Sequence, residues 1–234
     1  MIIERTEHPT WTSNAYLVAD GAGGHGVLID GNGVTDPLLE RIEQDDITIT
    51  HILNTHSHHD HVVDNERYQQ RFGVPLLHWP EFADEQVIES GDLRIRGLYT
   101  PGHCRDHLSF DVNGTDVFTA DVLFKGTLGG TAGGGETGYT DIKHSVMDRL
   151  MKLDPATAVH PGHTLPTTIG DEWETNPFIR IWRGLDPEGT DQCEVRGEPA
   201  TLVLWAPDYD GTNKAWVRFP DGRDAIVGGS QVTR

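Results

Sequence analysis

Cysteine is nearly absent: Cys104 and Cys193 are the two in 234 residues. Two distant thiols make no disulfide framework, which points to a reducing compartment, read here as cytoplasmic. No run of about 18 apolar residues occurs, so no transmembrane helix is expected. The opening Met1-Ile2-Ile3-Glu4-Arg5 reads as a first strand and not as a signal peptide. Positive charge is scarce, with 18 Lys and Arg against 37 Asp and Glu and a net charge of −19. Such a field repels nucleic acid and anionic membranes, so neither is expected as a partner. The same excess of carboxylates suits a solvated acidic surface and also adaptation to high salt. The Gly-rich segment 126–138 lacks the Gly-Lys-Ser/Thr ending of a phosphate loop, which removes a nucleotide cradle from consideration. What remains for that segment is a surface loop or a lid facing a small-molecule substrate.

The chain is long enough for one well-buried α/β domain with a small appendage, and 36% of it is hydrophobic. Strands are expected in 1–30, at 47–53, at 74–79 and at 93–98, where apolar and polar residues alternate. Asn113-Gly114 between 108–112 and 116–120 is a strong hairpin signal. Helices are expected over 36–44, with Thr35 as N-cap, over 62–72, over 142–153 and over 171–182. After Gly184 the texture turns to strands split by Asp210-Gly211 and Asp221-Gly222. The expected division is a domain over 1–184 and a β-rich module of three or four strands over 185–234, shaped as a small barrel. That module would cover a sheet edge or make a homo-oligomer contact.

Thirteen histidines stand in the chain, and Thr55-His56-Ser57-His58-His59-Asp60-His61 crowds several into one strand-to-helix junction. Imidazoles and carboxylates that lose water need hydrogen bonds or a metal in return. Pro-Gly-His then occurs twice, ending at His103 and His163, each time after an expected strand, and Asp121 stands where the second hairpin strand ends. The candidate ligands are therefore His56, His58, Asp60, His61, His103, Asp121 and His163. In an extended segment His56 and His58 point to one side and can share a metal. Asp60 and His61 begin the next turn and can reach a second, and Asp121 has two oxygens with which to bridge. Imidazole with carboxylate suits Zn²⁺, Fe²⁺ or Mn²⁺. Two such ions about 3.5–4 Å apart lower the pKa of a shared water from about 15.7 toward ~7 and polarise a carbonyl under attack. Asp60 could orient that nucleophile as a catalytic residue.

Thr-His-Ser-His-His-Asp-His, Thr-Pro-Gly-His, Ala-Asp at a strand end and the second Pro-Gly-His together resemble the metallo-β-lactamase fold superfamily. Within it the chain is most similar to the hydroxyacylglutathione hydrolase (glyoxalase II)-like branch. The segment from Gly162-His163-Thr164-Leu165-Pro166 to Asn176-Pro177-Phe178 supports that branch, and the resemblance spans roughly 10–182. It implies an αβ/βα sandwich with metals at one sheet edge. It places His56, His58 and His103 on one metal, Asp60, His61 and His163 on the other, and Asp121 between them. The implied cofactor is a pair of divalent ions, zinc first, with iron or manganese also fitting. The implied function is a metal-dependent hydrolase cleaving a thioester or related ester. The chain departs from the branch at Leu128-Gly129-Gly130-Thr131-Ala132, where members often carry Gly-Arg-x-Asp, and in lacking the helical C-terminal domain that holds glutathione. Lys125 and Tyr139 are the candidates for the glutathione-binding Lys and Tyr.

Other readings fit the same residues. A persulfide dioxygenase would use one Fe²⁺ on His56, His103 and Asp121. A lactonase or β-lactamase would keep both metals, and a metal-binding scaffold would keep them without turnover. The remaining histidines, His8, His25, His51, His78, His107, His144 and His160, are read as structural, and His59 as facing away from His56 and His58. Cys104 reads as a small buried residue, Trp173 and Phe178 as core, and Arg105-Asp106-His107 as a solvated turn.

Overall fold

The computed structural model describes residues 1–133 and 135–234; of the Gly-rich segment 126–138, Gly134 lies outside the described residues. The architecture is mixed α/β, with two sheets, flanking helices and a C-terminal antiparallel sheet. The chain divides into two compact units. The first comprises 1–99, 106–120 and 160–164, and the second 100–105, 121–159 and 165–234.

In the first unit, β1 (Ile2–Glu7), β2 (Asn14–Ala19), β3 (His25–Ile29), β4 (Thr48–Leu53) and β5 (Leu76–Leu77) form one sheet in that order. Helix α1 (Asp36–Gln44) crosses from β3 to β4, a one-turn helix α2 (His59–Val62) follows β4, and α3 (Asn65–Phe72) leads to β5. β3, β4 and β5 run parallel, so β3 and β4 deliver their ends, Ile29 and Leu53, side by side. The second sheet passes through β6 (Val87–Ser90), β7 (Leu93–Tyr99), β8 (Leu108–Val112) and β9 (Asp116–Ala120), antiparallel at each step. Asn113 and Gly114 take φ values of 55° and 71° at the β8–β9 turn, the left-handed pair such a hairpin needs. Alternating residues of both sheets, among them Tyr16, Val27, Leu53, Ile95, Phe110 and Phe118, close one buried cluster between them. The opposite face of the first sheet buries Leu17, Leu28 and Ile52 against Leu38, Leu39 and Ile42 of α1 and Tyr68 of α3.

In the second unit, β10 (Leu123–Phe124) and β11 (Thr127–Leu128) make a short hairpin. Helix α4 (Tyr139–His144) continues through a wider π turn at Ser145–Arg149 and a tight turn at Leu150–Lys152. β12 (Ala158–Pro161) pairs with β13 (Thr167–Thr168). Helices α5 (Ile169–Thr175) and α6 (Pro177–Trp182) follow. The C-terminal sheet has five strands, β14 (Asp191–Val195), β15 (Glu198–Pro207), β16 (Asn213–Arg218), β17 (Asp224–Gly228) and β18 (Val232–Thr233). After a 3-10 turn at Gly229–Gln231, β18 returns to pair with β14, and one face of the sheet buries Val195, Leu202, Ala215, Val217 and Val227.

Several expected elements are divided where a backbone or side chain has a competing partner. The expected helix over 62–72 is two pieces, because Val62 forms a bridge with Gly31 and the Asp64 carboxylate accepts the Gly33 amide at 2.6 Å. The helix over 171–182 is broken by Asn176, whose side chain caps α6 at the Phe178 amide, with Pro177 in the first turn. The strand run from Val195 to Trp205 turns at Arg196-Gly197, with φ values of 52° and 84°, so the module has five strands and not three or four. Thr35 precedes α1 as expected, but its hydroxyl takes a hydrogen bond from Arg67 and makes no cap.

Phe110 is fully buried and stacked on Phe82 at 5.6 Å between ring centres. Phe110→Ala is expected to lower unfolding free energy by about 3–5 kcal/mol, read from the urea midpoint at unchanged m-value.

Candidate metal centre

The parallel pairing of β3 and β4 explains where the histidine-rich motif begins. Asp30 follows β3 and Asn54-Thr55 follows β4, at the strand ends where α/β proteins build sites. Asp30 is buried, in the left-handed region at φ 59°, which Asp tolerates. Its carboxylate accepts the Thr55 amide at 2.8 Å, the Thr55 hydroxyl at 2.7 Å, the Asn54 side-chain amide at 3.0 Å and His61 Nδ1 at 2.9 Å. A carboxylate at this position only accepts, so His61 carries its proton on Nδ1 and turns the lone pair of Nε2 outward. The Thr55 hydroxyl, having donated to Asp30, accepts from His56 Nδ1 at 3.0 Å and sets the same tautomer there. One carboxylate thus orients two imidazoles, the role a buried acid takes behind metal-ligating histidines. The Asp30 role is absent from the sequence reading; its signal was an acid at the end of the strand beside the motif strand.

Within the first unit the motif side chains converge. His56 Nε2 and His58 Nδ1 lie 3.1 Å apart, as the alternation in the extended segment predicts. Asp60 Oδ2 lies 3.7 Å from His61 Nε2 and 3.6 Å from His163 Nε2, and these three ligand atoms all fall within 4.8 Å of one another. Tetrahedral ligands on metal bonds of ~2.0–2.1 Å stand about 3.3 Å apart, so the donor set and its spacing fit a divalent ion. His59 points elsewhere: it is exposed and meets Trp11 edge-on at 5.2 Å. His163 arrives on the loop after β12 and is tied back to the β1–β2 turn, with its Nδ1 3.3 Å from the Thr12 hydroxyl.

In the second unit His103 and Asp121 face each other, with Nε2 and Oδ2 3.6 Å apart. His103 Nδ1 donates to the Gly130 carbonyl at 3.0 Å, which again leaves Nε2 with its lone pair. The Gly-rich segment, expected as a loose loop or lid, is therefore in part the support of a ligand candidate. Gly129 has no room for a side chain: a Cβ there would stand 1.8 Å from the Asp121 carbonyl oxygen. Two residues on, Thr131 is anchored to β17: its amide donates to the Ile226 carbonyl at 2.8 Å, and its hydroxyl accepts the Ile226 amide at 2.9 Å.

Other residues fall where packing puts them. His107 is fully buried and stacks on His56 at 5.2 Å, so it does not belong to a solvated turn. His160 pairs with Asp116 at 2.8 Å, and His51 is held below the ordinary imidazole range by burial. Phe178 is core, and Trp173 lies under the Arg183 guanidinium at 4.0 Å. The Tyr139 hydroxyl accepts from the Trp182 indole at 2.7 Å, burial pushes its phenol upward, and Lys125 is exposed. Both cysteines are buried, with no disulfide between them. Among the described residues no helix is long and apolar enough to cross a membrane.

Two substitutions test the supports. Asp30→Asn keeps the shape but loses the charge behind His61 and Thr55, and is expected to weaken divalent-metal affinity about 10–100-fold in chelator competition. Unchanged affinity would remove the orienting role. Gly129→Ala is expected to cost about 1–3 kcal/mol of stability by overpacking, measured by thermal unfolding.

A model of the metallo-beta-lactamase superfamily matches residues 8–82. A hydroxyacylglutathione hydrolase from Mesorhizobium japonicum is 32% identical over 236 residues, covering 78% of this chain and 90% of that protein. The crystal structure of ETHE1 from Myxococcus xanthus superposes with a TM-score of 0.69 at 28% identity, covering 80% of this chain and 92% of that one. TTHA1623, in a di-iron-bound form, gives 0.65 at 28% identity, covering 75% and 99%. With a relative this similar along nearly its whole length, and with Asp60, His61 and His163 gathered at ligand spacing, the chain belongs to the metallo-β-lactamase superfamily.

Proposed function

We propose that the protein is a dinuclear metal-dependent hydrolase that cleaves a thioester or a related ester. The observation that carries this reading is the convergence of Asp60, His61 and His163, whose ligand atoms lie at metal-ligand spacing, with His61 held by Asp30 in the Nε2-presenting tautomer. The names of two similar proteins support it: one is a hydroxyacylglutathione hydrolase, and one is described as di-iron-bound. In this reading Asp60, His61 and His163 would hold one ion, and His56 with His58 would contribute to the other.

When bound, such a pair of ions makes water a nucleophile near neutral pH and polarises the carbonyl under attack. The chain's own residues do the positioning. Asp60 accepts the O–H of the attacking water, so that the oxygen lone pair is free to face the acyl carbon. Asp30 and Thr55 keep His56 and His61 from turning, and the Gly130 carbonyl does the same for His103. A group held in this way needs no reorganisation as charge develops on the carbonyl oxygen. Tyr139 is engaged by Trp182 and packs on Trp216 at 5.1 Å, serving its own unit. The substrate in this reading is accordingly a thioester and not glutathione in particular, and the compartment a reducing cytoplasm.

Metal analysis followed by turnover on a panel of acyl thioesters, with and without oxygen, tests the reading. Two metals per chain and oxygen-independent cleavage are expected. One iron per chain with oxygen uptake on a thiol persulfide would replace the hydrolase with a dioxygenase. His58→Ala is expected to abolish turnover, and Asp60→Asn to lower kcat about 10²–10⁴-fold.

A further inference from the structure

The last ligand in the chain, His163, is held by the first hairpin. Gly162 accepts the Asn14 amide at 2.6 Å, Pro161 accepts the Tyr16 hydroxyl at 2.6 Å, and Ser13 forms a bridge with His163 itself. At the tip of the same hairpin Thr12 adopts φ 58°. For a β-branched residue this is a strained, sparsely populated conformation, which persists only where the surroundings over-determine it. The surroundings here include the turn bond from the Thr12 amide to the His8 carbonyl at 2.8 Å and the approach of its hydroxyl to His163 Nδ1.

The proton directions can be worked out. The Thr12 hydroxyl donates to the Trp11 carbonyl at 2.6 Å, and a carbonyl only accepts. Its remaining lone pairs therefore accept from His163 Nδ1 at 3.3 Å. That places the His163 proton on Nδ1 and leaves Nε2 bare on the side facing Asp60. His61, across the same ligand set, has a buried carboxylate for this purpose, whereas His163 has a neutral hydroxyl at longer range.

We propose that Thr12 is a positioning residue for the metal held by Asp60, His61 and His163. Its hydroxyl fixes the tautomer and orientation of His163, and its strained backbone is retained because that hydroxyl is needed there. The proposal rests on the metal-centre reading above.

Thr12→Gly relieves the strain and removes the hydroxyl; Thr12→Ser eases the strain and keeps it. Both apo-proteins are expected to unfold at or above the wild-type temperature. Affinity for the second equivalent of Zn²⁺, measured by chelator competition, is expected to fall about 10–100-fold in Thr12→Gly and to stay within about twofold of wild type in Thr12→Ser. A residue that only shapes the turn would leave the two variants alike. If wild type takes up two equivalents and Thr12→Gly binds them as tightly as Thr12→Ser does, the role of Thr12 is overturned and the metal centre stands. If wild type binds no second equivalent, both fall together.

Discussion

The arrangement of the motif depends on one buried carboxylate. Asp30 accepts four hydrogen bonds from Asn54, Thr55 and His61, and through the Thr55 hydroxyl it also governs His56. A buried carboxylate is tolerable only when it is fully used in this way. Parallel pairing of β3 with β4 brings this about, since it ends both strands at one edge and sets Asp30 beside the first residues of the motif. The same edge stops the helix that follows: Gly31 takes the place of a helical partner for the His61 carbonyl, and the turn carrying Asp60 and His61 is held to a single turn.

The histidines that come later in the chain are held by weaker and more varied partners. His103 has a backbone carbonyl from a glycine segment, and His163 has a threonine hydroxyl on a strained turn. The two Pro-Gly-His loops look alike in sequence, yet their second partners differ in kind. Each ring nevertheless ends in the same chemical state, with its proton on Nδ1 and Nε2 available. A second partner that fixes the proton is what a ligand candidate needs, and here it is whatever acceptor the local fold supplies. The Gly-rich segment illustrates the point. Gly129 allows the chain to lie against Asp121 and His103 where no Cβ would fit, and Thr131 fastens it to β17.

The side chains that converge in the first unit are legible in the sequence. The dense motif 55–61, the two Pro-Gly-His turns and Asp121 carried the ligand candidates, and Asn113-Gly114 named its hairpin correctly. Elements defined by local periodicity or turn chemistry were readable for that reason. The breaks at Val62–Asp64 and at Asn176-Pro177 were harder, because a helical pattern continues through both. In the first the competing partner is a residue 31 positions away, Gly31 for Val62. His107 was misread as part of a solvated turn because charged neighbours in sequence hide a ring that the fold buries against His56.

By itself the sequence determined the kind of chemistry: residue types with metal-binding lone pairs, at spacings that alternate in a strand and then turn. It also determined a negative surface and a C-terminal module of strands. Only the tertiary structure decided which nitrogen each histidine presents. That choice depends on acceptors contributed from elsewhere: Asp30 for His61, Gly130 for His103 and Thr12 for His163, the last separated by 151 positions. An imidazole carries two equivalent-looking nitrogens, and for His61, His103 and His163 the acceptor that tells them apart lies far along the chain. The hydrogen bond made by the far side of the ring does, and that bond exists only once the strands have paired.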